Sequence, residues 1–525
     1  MRLELELPEG LRTINLDRAE KGQRLTEILR REGIPLNTRC GERDLCKSCT
    51  VEVLRDGEWV EMRGCQLRVV ENLQIRAPQQ SLLAYKPQIQ SDYRVNIPYA
   101  DDPLLGKVGY GIAVDIGTTT VSLSAIALEG GEIKGRAAAF NKQMHLGDDV
   151  LTRINLCYTD RSKIVELQRA IVDETLIPLV AQAMLEAGVS VEEVRGYTVA
   201  GNTTMLHLLL GEDPSSLGVA PFTPLFIGHT VVDSESIGLE PPGVPVHCLP
   251  GASAYVGADI TSGVLATGLL YEDGPSLLVD VGTNGEIVFK HGGRMLGTAT
   301  AAGPAFEGSG LTNGIRAGEG AVGHIWMRRD PFEMLTEVIG PPRTKPVGVC
   351  GSAYIDFLAQ GHGAGILSAS GRIQAEKLPE DLLDRDEYGS RLIVGRGQGK
   401  RKVTISEPDI ARLLQAKAAI AAGILILLKR VGVEPEEVET LYLAGGFGMH
   451  LNLENAVACG LFPGFRPEQI QLVGNTSLAG ATLSMIDRSA LPELRRAGEE
   501  IEIVELNLDP DFEDTYIDQL VIGDC

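Results

Sequence analysis

The chain has 525 residues, 44% hydrophobic and 23% charged, a globular composition that excludes a disordered chain and a small stapled scaffold. Its 48 basic and 71 acidic side chains leave a net charge of −23, a field that repels phosphate backbones and anionic membranes, so neither nucleic acid nor membrane is an expected partner. The N-terminus MRLELELPEG has no apolar signal core, and the most apolar later run, Ala416 to Leu428, is too short to span a bilayer; a soluble, cytoplasmic protein is expected.

In chain order, RLELELPEG alternates Leu and Glu like a half-buried strand. LTEILRREG follows with Leu25, Ile28 and Leu29 at helical spacing and Gly33 as its stop. VEVLRDGEWVEM reads as two short strands around an Asp56–Gly57 turn. Residues 1–78 are therefore expected to form a small α+β unit. Residues 79–107, with several prolines and no sustained period, read as a linker. Beyond them, Gly- and Ala-rich β runs alternate with helical ones, as in an α/β protein with partly parallel sheets. Two runs are alike: GIAVDIGTTTVSLSAIAL at 111–128 and SLLVDVGTNGEIVFK at 276–290 share strand, Asp, apolar residue, Gly, Thr, polar turn and second strand.

The nine cysteines are informative by distribution. Cys40, Cys46, Cys49 and Cys65 cluster as C-x5-C-x2-C-x15-C, and the others are scattered singly, unlike a disulfide framework. Three thiolates on one loop and a fourth from a following strand suit an iron–sulfur cluster, and a [2Fe–2S] centre fits best. Structural zinc is the competing reading; it usually takes paired C-x2-4-C knuckles, and only Cys46 and Cys49 form one. The segment CGERDLCKSC resembles the [2Fe–2S] ferredoxin domain, with the first gap of the vertebrate type. That resemblance implies a ferredoxin-like β-grasp fold. It departs from the usual pattern where Asp44 and Lys47 replace glycines.

An Asp at a strand end, followed by Gly and hydroxyl residues in a turn, offers N–H groups and hydroxyls to a phosphate and a carboxylate to Mg²⁺ or its waters. One such turn could be an ordinary β-turn. Two suggest a clamp, with Asp115, Gly117, Thr118, Thr119 and Thr120 facing Asp280, Gly282, Thr283, Asn284 and Gly285. In LYLAGGFG, Gly445 and Gly446 would let an adenosine ring lie against the backbone. The layout resembles the actin, sugar-kinase and heat-shock ATPase superfamily. That resemblance implies a two-lobed α/β ATPase over 108–525: a first lobe at about 108–275, a second at about 276–488, and a C-terminal strand and acidic tail at 489–525. Small residues at 416–423 (AKAAIAAG) and 479–482 (AGAT) are expected to form two closely crossing helices between the lobes.

A ferredoxin domain joined to this ATPase resembles one family, the reductive activators of corrinoid proteins. The likeness extends through VDIGTTT, AGNTTMLHLLLG, YVGADITSG, VDVGTNGEI, TAAGPAFEGSG, VCGSAYIDF, LAGGFGMHLNLENA and VELNLDPDFED. It implies one-electron reduction of a Co(II) corrinoid protein to Co(I), coupled to ATP hydrolysis with Mg²⁺. Electrons would enter at Cys40, Cys46, Cys49 and Cys65, and Asp115 or Asp280 would serve hydrolysis, with Asp259 behind them. The expected partners are a corrinoid protein of a methyl-transfer pathway, an external low-potential electron donor, and a second copy of the chain. A small-molecule kinase with a regulatory cluster and a nucleotide-binding redox sensor are the alternatives. His207 reads as a satisfied core histidine, Asn202 and Thr203 as nucleotide contacts or a helix cap, Cys350 as packing, and the acidic tail as a solvated face.

Overall fold

The computed structural model describes residues 1–523 except 8–9, 17–20, 35, 37, 39–41, 43–48, 79–80, 83–92, 94, 98 and 388, with the backbone alone at 449. Cys40 and Cys46 thus lie outside the described residues.

The N-terminal unit is a five-stranded sheet, ordered Gly10–Asn15, Arg2–Leu7, Leu73–Arg76, Thr50–Arg55, Glu58–Arg63. Arg2–Leu7 and Leu73–Arg76 run parallel and the remaining pairs antiparallel. The Leu/Glu alternation sends Leu3 and Leu5 into a core with Ile28, Leu29, Val53 and Ile75. It leaves Glu4 and Glu6 outside, bonded to Gln74 and Arg76. Asp56 and Gly57 both take positive φ, 51° and 83°, as a tight hairpin turn requires. The unit runs past residue 78: the Ser81 hydroxyl donates to the Thr50 carbonyl and Leu82 bridges Leu36. The described part of the expected linker is docked on the body formed by the rest of the chain. The Tyr93 hydroxyl bonds the Thr482 hydroxyl at 3.0 Å, the Ala100 N–H reaches Asp487 at 2.7 Å, and the Leu104 N–H donates to the Met485 carbonyl.

The body contains two sheets of one design. The first is ordered Thr230–Asp233, Pro245–Cys248, Val194–Gly201, Tyr110–Ile116, Thr120–Ala127, Ile133–Phe140. The second is ordered Ile470–Gly474, Thr440–Ala444, Ser276–Val281, Gly285–His291, Arg294–Thr300, Ile501–Ile503. In each, an antiparallel meander of three strands lies beside a parallel strand delivered by a crossover. Asp115 stands opposite Ala200 and Asp280 opposite Ala444, so Gly201 and Gly445 follow at equivalent places. The two lobes therefore point the ends of their central strands at each other. Between Thr300 and the long helix Glu407–Val431, the second lobe also carries two three-stranded sheets and the helix Gly351–Gly363.

Packing redraws three expectations. Helix Thr476–Ile486 belongs to the first-lobe core with Leu478, Ala481 and Met485, as does helix Ala490–Glu500 through Leu494 and Ala497. The chain thus returns to the first lobe before Ile501–Ile503 pairs with the second. The closely crossing pair is Ala258–Thr267 with Thr476–Ile486: a side chain at Gly480 would stand 2.6 Å from the Ser262 Cα. Residues 416–423 instead lie on the second-lobe sheet, where a side chain at Gly423 would meet Thr300 at 2.7 Å and Ile287 at 2.8 Å. Their helix has a Ser406–Asp409 capping box and a Gly432 C-cap. At 25 residues it is long and apolar enough to cross a membrane, yet most of it is buried against the body. The acidic tail is partly consumed: Asp509 accepts two bonds from Arg430 and Asp511 pairs with Lys429.

Candidate functional site

The cleft between the strand ends is lined by Asp115, Gly117, Thr118, Thr119, Thr120, Asp280, Gly282, Thr283, Asn284, Gly445 and Gly446 together. Gly285 stands outside it; a side chain there would meet Thr300 at 2.7 Å and Ile420 at 3.0 Å, so its smallness serves packing. Each turn closes on itself, the Gly117 N–H donating to the Thr120 carbonyl and the Gly282 N–H to the Asn284 carbonyl. The Thr119 and Thr283 hydroxyls lie 3.3 Å apart, so the turns meet across the cleft. Gly445 takes φ 89°, and a side chain there would lie 2.8 Å from an Asp280 oxygen, so only glycine fits.

The first turn is braced from behind. The Asn141 side chain donates to the Gly117 carbonyl at 3.0 Å and its N–H to the Thr119 carbonyl at 2.9 Å. The fully buried Arg153 guanidinium donates to the Thr118 carbonyl, the Gln143 side chain and the Gly147 carbonyl. Burial lowers this guanidinium to about 10, which leaves it charged at neutral pH behind the turn. Asn202 caps helix Thr203–Leu210, and its side chain also donates to the Thr118 hydroxyl at 3.0 Å, on the wall of the cleft. Thr203 is turned away onto the Ser253 carbonyl. His207 is buried, bonded to the Thr203 carbonyl and the Leu225 N–H and stacked on Phe226. Cys350 is buried, yet it lines the cleft beside Ser352; burial holds its thiol up.

Besides Glu307, four carboxylates share this space: Asp115, Asp259, Asp280 and Glu286. Asp115 accepts from Ser477 at 2.7 Å and Asn475 at 2.8 Å, bonds that oppose the upward push of burial. Burial, then the charge of Asp115, lifts Asp280 to about 7. Asp259 is pushed up by burial, then by Asp280 and Asp115. Glu286 is pushed up by burial, then by Asp259 and Asp280. Mutually repelling buried acids fit a divalent cation, which would relieve the repulsion. Among the described residues no three His, Cys, Asp or Glu side chains stand close enough to ligate an ion together. A divalent cation here would therefore need ligands besides these carboxylates, such as its own waters.

Glu286, Glu307, Arg316, Asn475 and Ser477 also line the cleft and escaped the sequence reading. Glu286 was signalled by VGTNGEI, Glu307 by its place in TAAGPAFEGSG, and Asn475 and Ser477 by an N-cap pattern opening the small-residue helix; Arg316 had no local signal.

In the N-terminal unit, Thr50 faces Arg63 across the hairpin, and the Gly64 N–H donates to the Cys49 carbonyl at 2.9 Å. Cys49 and Cys65, both buried, thus sit at one hairpin end. Glu42 is tied to the same unit: its carboxylate pairs with Arg24 and Arg30 at 2.9 and 3.0 Å, and its carbonyl accepts from Gln66. Close by, the Thr38 hydroxyl donates to the His145 carbonyl at 3.0 Å. His145 ends the short helix Lys142–His145 that follows the brace Asn141, and its imidazole is lowered to about 3 by burial, then by Arg30 and Lys142.

The chain is similar to known proteins over nearly its whole length. Residues 110–272 match the family model described as the RACo middle region, and residues 274–524 match the C-terminal domain of RACo, the ASKHA domain. A corrinoid activation enzyme, RamQ, of Eubacterium limosum is 27% identical over 94% of this chain and 95% of its own length. A Co(II) methylated amine-specific corrinoid protein reductase of Methanosarcina barkeri is 26% identical over 73% of this chain and 71% of its own. Among solved structures, a reductive activator for a corrinoid, iron–sulfur protein superposes with a TM-score of 0.73 at 28% identity, covering 99% of this chain and 98% of that one.

Proposed function

Since the chain belongs to the RACo family of corrinoid-protein activators, we propose that it is an enzyme that reduces an inactive Co(II) corrinoid protein to Co(I), one electron at a time, at the expense of ATP. The observation that carries the coupling is the Thr38–His145 contact. It joins the cysteine-bearing unit to the segment whose Asn141 braces the phosphate-binding turn. A change of nucleotide at Thr118–Thr120 therefore has a short mechanical path to the cysteines.

Cys40, Cys46, Cys49 and Cys65 are the proposed cluster ligands; the two described members fit, being buried at one hairpin end. A [2Fe–2S] centre there would supply single electrons at low potential. The turns at 117–120 and 282–284 hold the phosphates with N–H groups and hydroxyls, and Gly445 and Gly446 make room for the nucleoside. Asp115, fixed by Asn475 and Ser477, would help hold a magnesium ion, which would supply charge neutralisation at the phosphates. Asp280 is poised near neutrality and takes a proton from the attacking water at its carboxylate oxygen. Co(I) is a poor electron acceptor's product, so the transfer needs free energy, and closure of the two lobes on ATP is the means of delivering it.

The test is anaerobic purification followed by visible and electron paramagnetic resonance spectra, then cobalt spectra of a Co(II) corrinoid protein with and without ATP. A reduced-cluster signal and ATP-dependent Co(I) are expected. A colourless zinc protein, or Co(I) formed equally well without ATP, would refute the proposal. Phosphate appearing on an added metabolite would instead identify a kinase.

A further inference from the structure

The phosphate turns contain no cation, and the cleft is crowded with carboxylates. Among its described lining residues Arg316 is the one Arg or Lys. A Mg–nucleoside triphosphate still carries net negative charge, so a cation is wanted where its terminal phosphate arrives. Arg316 belongs to the second lobe but reaches the first: its guanidinium carbon lies 4.9 Å from the ring centre of Phe140. Phe140 pairs with Thr120 across the sheet, at the end of the first phosphate turn. Arg316 itself donates twice to one Glu307 oxygen, at 3.0 and 3.2 Å. The other Glu307 oxygen accepts from Thr283 at 2.9 Å, and Thr283 meets Thr119. One polar chain, Arg316–Glu307–Thr283–Thr119, thus crosses the cleft where the terminal phosphate would lie between the turns. Both ends of the ion pair are largely buried, 16% and 18% exposed, so the pair is not a loose surface contact.

We propose that Arg316 is the residue that recognises the terminal phosphate, leaving Glu307 for that phosphate when a triphosphate binds and so distinguishing ATP from ADP. This rests on the nucleotide reading above. Glu307 acts as a holder that keeps the guanidinium at the cleft wall and sets a competing bond the phosphate must displace. Phe140 keeps the planar group on the first lobe during the exchange, so the change of partner is felt by both lobes.

Equilibrium binding of Mg–ADP and of a non-hydrolysable Mg–ATP analogue to the full-length chain tests this. Wild type should prefer the triphosphate. Arg316→Ala should weaken the analogue by about tenfold to a hundredfold, as expected for losing a charge-assisted hydrogen bond, with little effect on ADP. Arg316→Lys should recover part of the preference. Glu307→Gln, which weakens the competing bond, should tighten the analogue and leave ADP nearly unchanged. A triphosphate-to-diphosphate ratio that stays at the wild-type value in Arg316→Lys and Glu307→Gln would overturn the assignment, whatever Arg316→Ala does. Wild type binding neither nucleotide would overturn the nucleotide reading and this proposal with it, whereas binding with an unaltered ratio in the variants overturns only the proposal.

Discussion

Asp280 shows how a single residue ties function to stability. Its carboxyl is buried against Asp115 and lifted to about 7, so without a cation the fold favours the protonated form. The folded chain then binds more protons than the unfolded one between the ordinary carboxylate range and about 7. The stability it contributes is complete at low pH and is lost as pH rises through that value. Melting of the metal-free protein should therefore fall across this window, and Asp280→Asn should flatten the slope and raise the melting temperature at slightly alkaline pH while abolishing ATP hydrolysis. An unchanged slope would assign the titration to another group. Mg–nucleotide binding should release protons, most strongly below about 7, which calorimetry in buffers of different ionisation enthalpy would detect.

At the scale of elements, the crossing of Ala258–Thr267 with Thr476–Ile486 links the first-lobe core to the Asn475–Ser477 end that holds Asp115. Gly480 permits that crossing, because an added carbon would stand 2.3 Å from the Ser262 Cβ and 2.6 Å from its Cα. Gly480→Ala should cost about 1–3 kcal/mol by overpacking, measured by denaturant unfolding. Ser262→Gly in the same chain should recover only part of it, since the Ser262 backbone itself is in the way. Full recovery would mean the helices separate freely. The small residues at 416–423 suggest a similar crossing in the sequence, but smallness reports only that something approaches closely. Whether that something is a sheet or a helix depends on the partner, which local spacing does not contain.

At the scale of the molecule, the cysteine-bearing unit meets the body, among the described residues, at the buried bond from Thr38 to His145. Thr38→Val should cost about 1 kcal/mol. It should increase hydrogen exchange of the amides around Met144 to Gly147 while leaving the unit's own strands protected. If the strands lose protection equally, Thr38 supports the unit's fold and not its docking. The coupling reading further expects the same variant to keep basal ATP hydrolysis and weaken the ATP dependence of cobalt reduction.

Much of the site was legible because its chemistry is local. A strand ending in Asp followed by Gly and Thr must turn at once, so Asp115–Thr120 and Asp280–Asn284 carry their geometry in a few consecutive residues. The hairpin that presents Cys65 is equally local, set by Asp56 and Gly57. The Leu/Glu alternation likewise determined the first strand, since period-two burial leaves no other face for Leu3 and Leu5. Tertiary structure alone decided that Gly201 and Gly445 are equivalent, that helix Thr476–Ile486 returns to the first lobe, and that Glu307 and Arg316 enter the cleft. These depend on which surfaces meet after the chain has doubled back through hundreds of residues, and the burial that lifts Asp280 exists only once those surfaces have closed over it.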